Sequence, residues 1–205
     1  MTKEHHMRQS IKSFVSRGGR MTSAQKKAIE NLKNKYCINQ IQNPYEAAHN
    51  YREIVLEIGF GNGENLINLA CLRPNVDFIG IDPHLPGVGR VLLELEREKI
   101  ENVRILIGDA DELIPQKIKA QSLKEVLILF PDPWPKKRHH KRRLLKLEFL
   151  KMLTSKIIPG GYLHIATDWK DYADSIAAII EETPCLINAT GKLKFAKRPE
   201  WRPVT

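Results

Sequence analysis

A single carboxylate, Asp132, lies between two prolines, directly after an apolar stretch at residues 126–130. Proline fixes φ and removes a backbone donor, so this segment is predicted to form a stiff, non-helical turn. Six lysine and arginine side chains follow within the eight residues 136–143. A carboxylate held at the end of a buried strand suits the centre of a reaction. The cations beside it suit a polyanionic substrate.

Apolar strands and amphipathic helices alternate along most of the chain, and these elements must position Asp132. Strands are predicted at residues 54–58, 77–81, 103–107, 125–130 and 162–166. Helices are predicted from Thr22, after the first strand through Leu66 and Ala70, and at residues 88–99, 144–157 and 172–182. This alternation predicts an α/β fold, with helices on both faces of a doubly wound, mostly parallel sheet.

A polar residue, usually an acid, follows each of the five predicted strands. Ligands of such sheets lie beyond the carboxyl ends of the strands, so these residues are candidates for one site. The candidates are Glu57 with the glycine loop Gly59, Gly61 and Gly63, then Asp82, Asp109, Asp132 and Asp168. One acid at one strand end would usually be a cap or a turn residue. Polar residues at the ends of all five predicted strands favour a functional site.

The glycine loop permits close approach of the backbone to a ligand, but it does not match the dinucleotide fingerprint. Glu64 stands where that fingerprint requires its third glycine, and a pyrophosphate would also meet Glu57. A cofactor with a cationic sulfonium or ammonium group suits these acids better. Asp82 is placed to accept ribose hydroxyls, and Asp109 could accept from an adenine amino group. The pattern therefore favours S-adenosylmethionine over NAD.

Four segments together resemble the bacterial tRNA (guanine-N7)-methyltransferases. They are Leu-Glu-Ile-Gly-Phe-Gly-Asn-Gly at 56–63, Gly-Ile-Asp-Pro-His-Leu-Pro-Gly-Val-Gly at 80–89, the proline-rich and basic run at 130–143, and Ala-Thr-Asp-Trp at 166–169. The likeness extends from about Phe14 to the last residue. It implies a Rossmann-like class I S-adenosylmethionine-dependent methyltransferase fold and methylation of N7 of the variable-loop guanine in tRNA.

The resemblance also implies roles for individual residues. Asp132 would be the catalytic carboxylate, and it would contact the cofactor together with the glycine loop, Glu57, Asp82 and Asp109. The substrate-binding residues would be Lys136, Asp168 and Thr205. The residues in contact with RNA would be Arg138, His139, His140, Lys141, Arg142 and Arg143.

The chemistry of this reaction agrees with the residue types. Guanine N7 already carries a lone pair, so no base need remove a proton, and the displacement depends mainly on positioning. Positive charge moves onto the purine, where a fixed carboxylate such as Asp132 or Asp168 can stabilise it. Two plainer interpretations stay open: Asp168 as the N-cap of a helix, and the basic run as a solvated helix start.

Composition limits the class of protein. The 205 residues suit one domain with a substantial core, predicted at 44–205 after a basic arm at 1–43. The net charge is +9, concentrated in the two flanks, and it favours tRNA over a membrane as partner. The absence of a signal peptide predicts a cytoplasmic location. The three cysteines are widely spaced and indicate reduced thiols, with no metal site.

Two departures from the family pattern matter. Asp82 stands where the family usually has Glu, a shorter reach to the ribose. In the family, the threonine matching Thr205 begins a Thr-Lys-Phe-Glu substrate segment, which a further strand follows. We therefore expect the last strand to be missing and a sheet edge to be unpaired, in a monomer or a homodimer. Two alternatives stay open: a non-catalytic or weakly active protein that binds tRNA and S-adenosylmethionine, and a methyltransferase for another substrate.

Overall fold

The computed structural model describes residues 20–38 and 53–202, and it places five parallel strands in one sheet. The strands are β1 (Ile54–Ile58), β2 (Asp77–Asp82), β3 (Val103–Ile107), β4 (Leu123–Leu129) and β5 (Ile157–Ala166). Their order in the sheet is β3-β2-β1-β4-β5. The order reverses between β1 and β4, which is where sheets of this kind bind ligands. The predicted doubly wound parallel sheet is confirmed.

Within the described residues, six α-helices cover the two faces of this sheet. They are α1 (Ser23–Tyr36), α2 (Glu64–Leu72), α3 (Leu85–Arg97), α4 (Ala110–Lys117), α5 (Leu147–Thr154) and α6 (Lys170–Glu182). Side chains of α1, α2 and α3 pack with one face of the sheet, and those of α4, α5 and α6 with the other. Because strands such as β1 and β2 are buried on both faces, they are apolar almost throughout.

The first helix packs against the sheet domain. Thr22 and Gln25 form a reciprocal capping box that begins α1. At its other end, Glu96 of α3 accepts hydrogen bonds from Lys35 Nζ at 2.6 Å and Tyr36 Oη at 2.8 Å. The part of the predicted arm that is described therefore lies on the domain. The boundary predicted at residue 43 falls outside the described residues and stays a prediction.

Two predicted element boundaries were wrong around β5. The helix expected at 144–157 covers only Leu147–Thr154, and the strand expected at 162–166 already begins at Ile157. The Pro-Gly-Gly sequence at 159–161 lies inside β5, where the pairing with β4 shifts register. A proline followed by two glycines usually ends a strand. Here these residues form an irregularity inside β5 that the neighbouring strand β4 tolerates.

The helix α4 was not predicted. It is short, and Pro115 lies inside it, which argues against a helix when only the sequence is known. Its N-cap is Asp109, whose carboxylate accepts from the Asp111 N–H at 3.2 Å. The helix α3 begins at Leu85, three residues earlier than expected, because Pro86 is tolerated in the first turn.

At Gly63, α2 and α3 pack too closely to leave room for a side chain. Its φ is +78°, and a Cβ would collide with the side chain of Val91. Gly160 has a similar φ of +74° with open space around it, and so it is a matched control. We expect Gly63→Ala to lower the free energy of unfolding by about 2–4 kcal/mol, and Gly160→Ala by about 1–2 kcal/mol. Urea denaturation measures both, and equal losses would contradict the packing argument.

Candidate active site

A cavity of about 370 Å³ lies beyond the carboxyl ends of the strands. Five of the predicted cofactor-binding residues line it: Gly59, Gly61, Asp82, Asp109 and Asp132. Among the described residues that line the cavity there is no lysine or arginine. Three carboxylates without a fixed cation suit a ligand that carries positive charge, and they disfavour a pyrophosphate. This donor set fits S-adenosylmethionine, whose sulfonium and ammonium groups are cationic.

Asp82 holds the glycine loop and the start of α3 together. Its Oδ2 accepts from the Gly61 N–H at 2.7 Å, and its Oδ1 accepts from the His84 N–H at 2.8 Å. Burial raises the pKa of Asp82, and these two backbone donors partly oppose the shift. Each oxygen keeps a second lone pair, so the predicted bond to a ribose hydroxyl is compatible with both contacts. The Asp82 side chain, one methylene shorter than glutamate, therefore also has a structural role, which could not be inferred from the sequence.

Glu57 lies behind the glycine loop and does not line the cavity. The residue is 3% exposed, and one carboxylate oxygen accepts from Asn65 Nδ2 at 2.9 Å. Burial raises the pKa of Glu57 to about 7, repulsion from Asp82 adds to the shift, and the Asn65 bond opposes it. Sequence reasoning missed Asn65, because its burial and its bond to Glu57 become visible only in the folded structure. Gly63, the N-cap of α2, is also outside the lining.

The loop that carries Asp132 has an unusual backbone. Phe130 and Trp134 bracket the Pro-Asp-Pro sequence, with φ of +52° and +46°. Non-glycine residues adopt this left-handed region rarely and only when neighbours hold them there. Trp134 is buried, with the Arg142 guanidinium 4.9 Å from its ring and His139 packed edge-on at 5.8 Å. The shape of the loop therefore depends on the basic run that follows it.

The basic run forms a 3₁₀ helix at Lys137–Arg142, which we call the basic helix. Its cations Lys137, Arg138, Lys141 and Arg142 are exposed, as is Lys136 before it, while His139 and His140 are half-buried. Arg143, directly after the helix, differs from them because it is only 5% exposed. The six predicted RNA contacts thus divide into five residues that solvent reaches and one that is buried. All six remain predictions.

Two of the three predicted substrate residues, Lys136 and Asp168, lie outside the cavity lining. Lys136 precedes the basic helix, and Asp168 is exposed between β5 and α6. The N-cap of α6 is Trp169, so the alternative role of Asp168 as a helix cap is not observed. Thr205 lies outside the described residues. The substrate roles of these three residues stay predictions.

In the described part of the chain, no group of three or more histidine, cysteine, aspartate or glutamate side chains could hold a metal ion. Cys37, Cys71 and Cys185 are free thiols. None of the helices within residues 20–38 and 53–202 is both long and apolar enough to cross a membrane.

The buried Glu57 makes stability depend on pH. Its pKa rises from 4.5 to about 7 on folding, so the folded protein binds more protons than the unfolded chain between these values. The free energy of unfolding should therefore fall as the pH rises through this range, by about 3 kcal/mol from this residue. In Glu57→Gln the fall should be smaller, and the burial of Asp82 should leave a residual slope. Urea denaturation of cofactor-free protein across the range tests this, and parallel profiles would contradict it.

Comparison with solved structures supports the fold. A precorrin-6y C5,15-methyltransferase from Geobacter metallireducens superposes with a TM-score of 0.52 at 15% identity, over 65% of this chain and 63% of that one. An antibiotic-related methyltransferase superposes with a TM-score of 0.51 at 16% identity, over 85% of this chain and 81% of that one. At such low identity the likeness concerns the fold alone.

Comparison of sequences is more specific. A family model described as "Putative methyltransferase" matches residues 51–205. The tRNA (guanine-N(7)-)-methyltransferase of Nitrosococcus oceani is 47% identical, over 92% of this chain and 81% of that protein. The enzyme of the same name from Alkalilimnicola ehrlichii is 42% identical, over 95% and 84%. On the strength of this similarity, the chain belongs to the tRNA (guanine-N7)-methyltransferase family.

Proposed function

We propose that the cavity is the site at which this chain transfers a methyl group from S-adenosylmethionine to N7 of a guanine in tRNA, with Asp132 beside the reacting atoms. Membership of the family supports the reaction and the cofactor. One observation supports the location. Asp132 lies on a shaped loop between a carboxylate-lined cavity without fixed cations and an exposed cationic helix.

The residues of the site suit this reaction without a general base. S-adenosylmethionine, when bound, supplies a methyl group on a positively charged sulfur. The lone pair of guanine N7 attacks directly, so the protein has to align the two reactants and stabilise moving charge. As the methyl group transfers, positive charge moves from sulfur to the purine. The Asp132 carboxylate, held at the cavity by its loop, is the group we expect to stabilise that charge.

The basic helix supplies the second half of the site. It begins at Lys137, five residues after Asp132, and carries its cations towards solvent. Phosphate contacts from these side chains would place the tRNA without reading its sequence. A guanine in the variable loop can be unstacked and turned towards the cavity more easily than one in a helix. Trp169, 41% exposed and next to Asp168, is the ring that we expect to face this base.

Two further expectations concern the whole protein. We infer a cytoplasmic location, because the substrate class is tRNA and the three thiols are free. A monomer and a homodimer both stay open. No observation on the described residues favours the alternatives of a non-catalytic binding protein or a methyltransferase for another substrate.

The first prediction concerns Asp132. Asp132→Asn should lower the single-turnover rate of methyl transfer to unmodified tRNA by about 10²-fold or more, because the neutral amide cannot stabilise the developing charge. The dissociation constant of the cofactor should change by less than about threefold, which is about half of the 1.4 kcal/mol that a tenfold change represents. Labelled methyl transfer measures the rate, and cleavage at N7-methylguanine maps the product.

Glu148→Gln is the matched control for Asp132→Asn, since it also neutralises one acid. Its side chain is 87% exposed on α5 and pairs only loosely with Lys151, at 3.8 Å. It should transfer methyl at the wild-type rate. Equal losses of rate and cofactor affinity in Asp132→Asn would mean that Asp132 only binds the cofactor.

The second prediction concerns the basic helix. The affinity for tRNA should fall steeply with salt, because phosphate contacts release counterions. Arg138→Gln should reduce the slope of log K against log salt by about 1, with little change in the rate at saturating tRNA. Arg97→Gln removes an exposed arginine that pairs with Glu94 and Glu98, and it should leave the slope unchanged. A wild-type affinity that does not respond to salt would refute RNA binding by this helix.

A further inference from the structure

The guanidinium of Arg143 is buried and bonded to two separate parts of the protein. Its side chain is 6% exposed. Nε donates to the Pro133 carbonyl oxygen at 2.9 Å, and Nη2 donates to Asp171 Oδ2 at 2.6 Å. Its planar group also lies over the ring of Tyr172, 4.6 Å from the centroid. An arginine with this surface buried and these donors in use is poorly placed to contact a phosphate.

The two bonding partners of Arg143 are close in sequence to the two acids predicted to act on the substrate. Pro133 directly follows Asp132, and Asp171 lies in the first turn of α6, three residues after Asp168. The planar fork of arginine can hold two acceptors in a defined geometry. The Arg143 side chain therefore connects the loop of Asp132 to the helix that follows Asp168.

The loop of Asp132 depends on contacts of this kind. The left-handed conformations of Phe130 and Trp134 are unfavourable by themselves, so neighbouring structure must stabilise them. The Phe130 N–H donates to the Ala166 carbonyl oxygen at 2.8 Å, which ties the start of the loop to the end of β5. The bond from Arg143 to Pro133 ties its other end to α6. Both bonds attach the loop to the β5–α6 side of the site.

Tyr172 adds to the attachment between the Asp132 loop and α6. It is fully buried, and its Oη accepts from the Leu145 N–H at 3.1 Å. The segment that leaves Arg143 is thus fixed to α6 a second time. Asp171 differs in being accessible, with 64% of its side chain exposed. It supplies the negative charge that a buried guanidinium requires.

We propose that Arg143 and Asp171 are a positioning pair that holds Asp132 in line with the substrate side of the site, and that Arg143 is not an RNA contact. The proposal rests on the role proposed for Asp132 above. It separates the basic run into cations that bind tRNA and one cation that shapes the catalytic loop. Loss of the pair should therefore slow methyl transfer without weakening the binding of tRNA or cofactor.

Asp171→Asn gives the sharpest test, because it keeps the size of an accessible side chain and removes only its charge. At saturating tRNA and cofactor, its single-turnover rate should fall about tenfold or more. Both dissociation constants should stay within about threefold of wild type, a difference well below 1.4 kcal/mol. If Asp171 were only an acid near bound RNA, removal of its charge would tighten tRNA binding and leave the rate unchanged.

Asp174→Asn is the matched control on the same helix. Asp174 is half-exposed and pairs with the surface residue Lys170 at 2.6 Å. This ion pair joins two side chains of α6 through a single lysine Nζ, and it reaches neither the Asp132 loop nor the cavity. This variant should transfer methyl at the wild-type rate.

Arg143→Lys tests the other partner, because lysine keeps the charge but lacks the planar fork. It should slow transfer as Asp171→Asn does, and the double variant should be no slower than the slower single variant. Arg143→Gln, which removes the charge, should keep the wild-type salt slope for tRNA binding, whereas Arg142→Gln should lower the slope by about 1.

Three outcomes would overturn the inference. They are a wild-type rate in Asp171→Asn, a reduced salt slope in Arg143→Gln, and additive rate losses in the double variant. If Arg143→Lys does not fold, Asp171→Asn alone decides. If the wild-type chain and Asp171→Asn transfer methyl equally well, the positioning pair is refuted and the proposed function stays intact. A wild-type chain that transfers none would refute the function, and the positioning pair with it.

Discussion

The parallel register of the five strands is the constraint from which the site follows. Parallel strands end at the same edge of a sheet, so the segments after β1, β2, β3 and β4 meet there although they are distant in sequence. The Asp82 carboxylate, at the end of β2, then accepts from the backbone N–H groups of Gly61 and His84 and so joins the segments after β1 and β2. A cavity lined by acids is the consequence of that convergence.

Charge divides this edge of the sheet into two regions. Inside, Asp82, Asp109 and Asp132 line the cavity and no lysine or arginine is among its described lining residues, so the pocket favours a ligand that brings positive charge. Outside, the exposed cations of the basic helix favour a polyanion. Asp132 lies between the two regions. One short segment of chain therefore connects the cavity that fits a cationic methyl donor with the cationic surface that we propose binds tRNA.

The fold alone would not identify this substrate. The solved structures that share it are methyltransferases at about 15% identity, and a shared fold hosts many substrates. The feature of this chain that we connect with its substrate is the loop that follows β4, with its two left-handed residues and the basic helix attached to it. The loop takes its shape from contacts with β5 and α6, so this part of the proposed site depends on tertiary structure as well as on sequence.

The sequence by itself determined the sheet and the acids at its edge. Apolar runs buried on both faces are readable as parallel strands, and residues at the strand ends converge whatever the side chains around them are. The burial of Arg143 was not readable, because nothing local distinguishes it from Arg142. Nor were the bond of Asn65 to Glu57 and the continuation of β5 through Gly160. Each of these depends on a partner brought close only by folding, and local pattern carries no information about such partners.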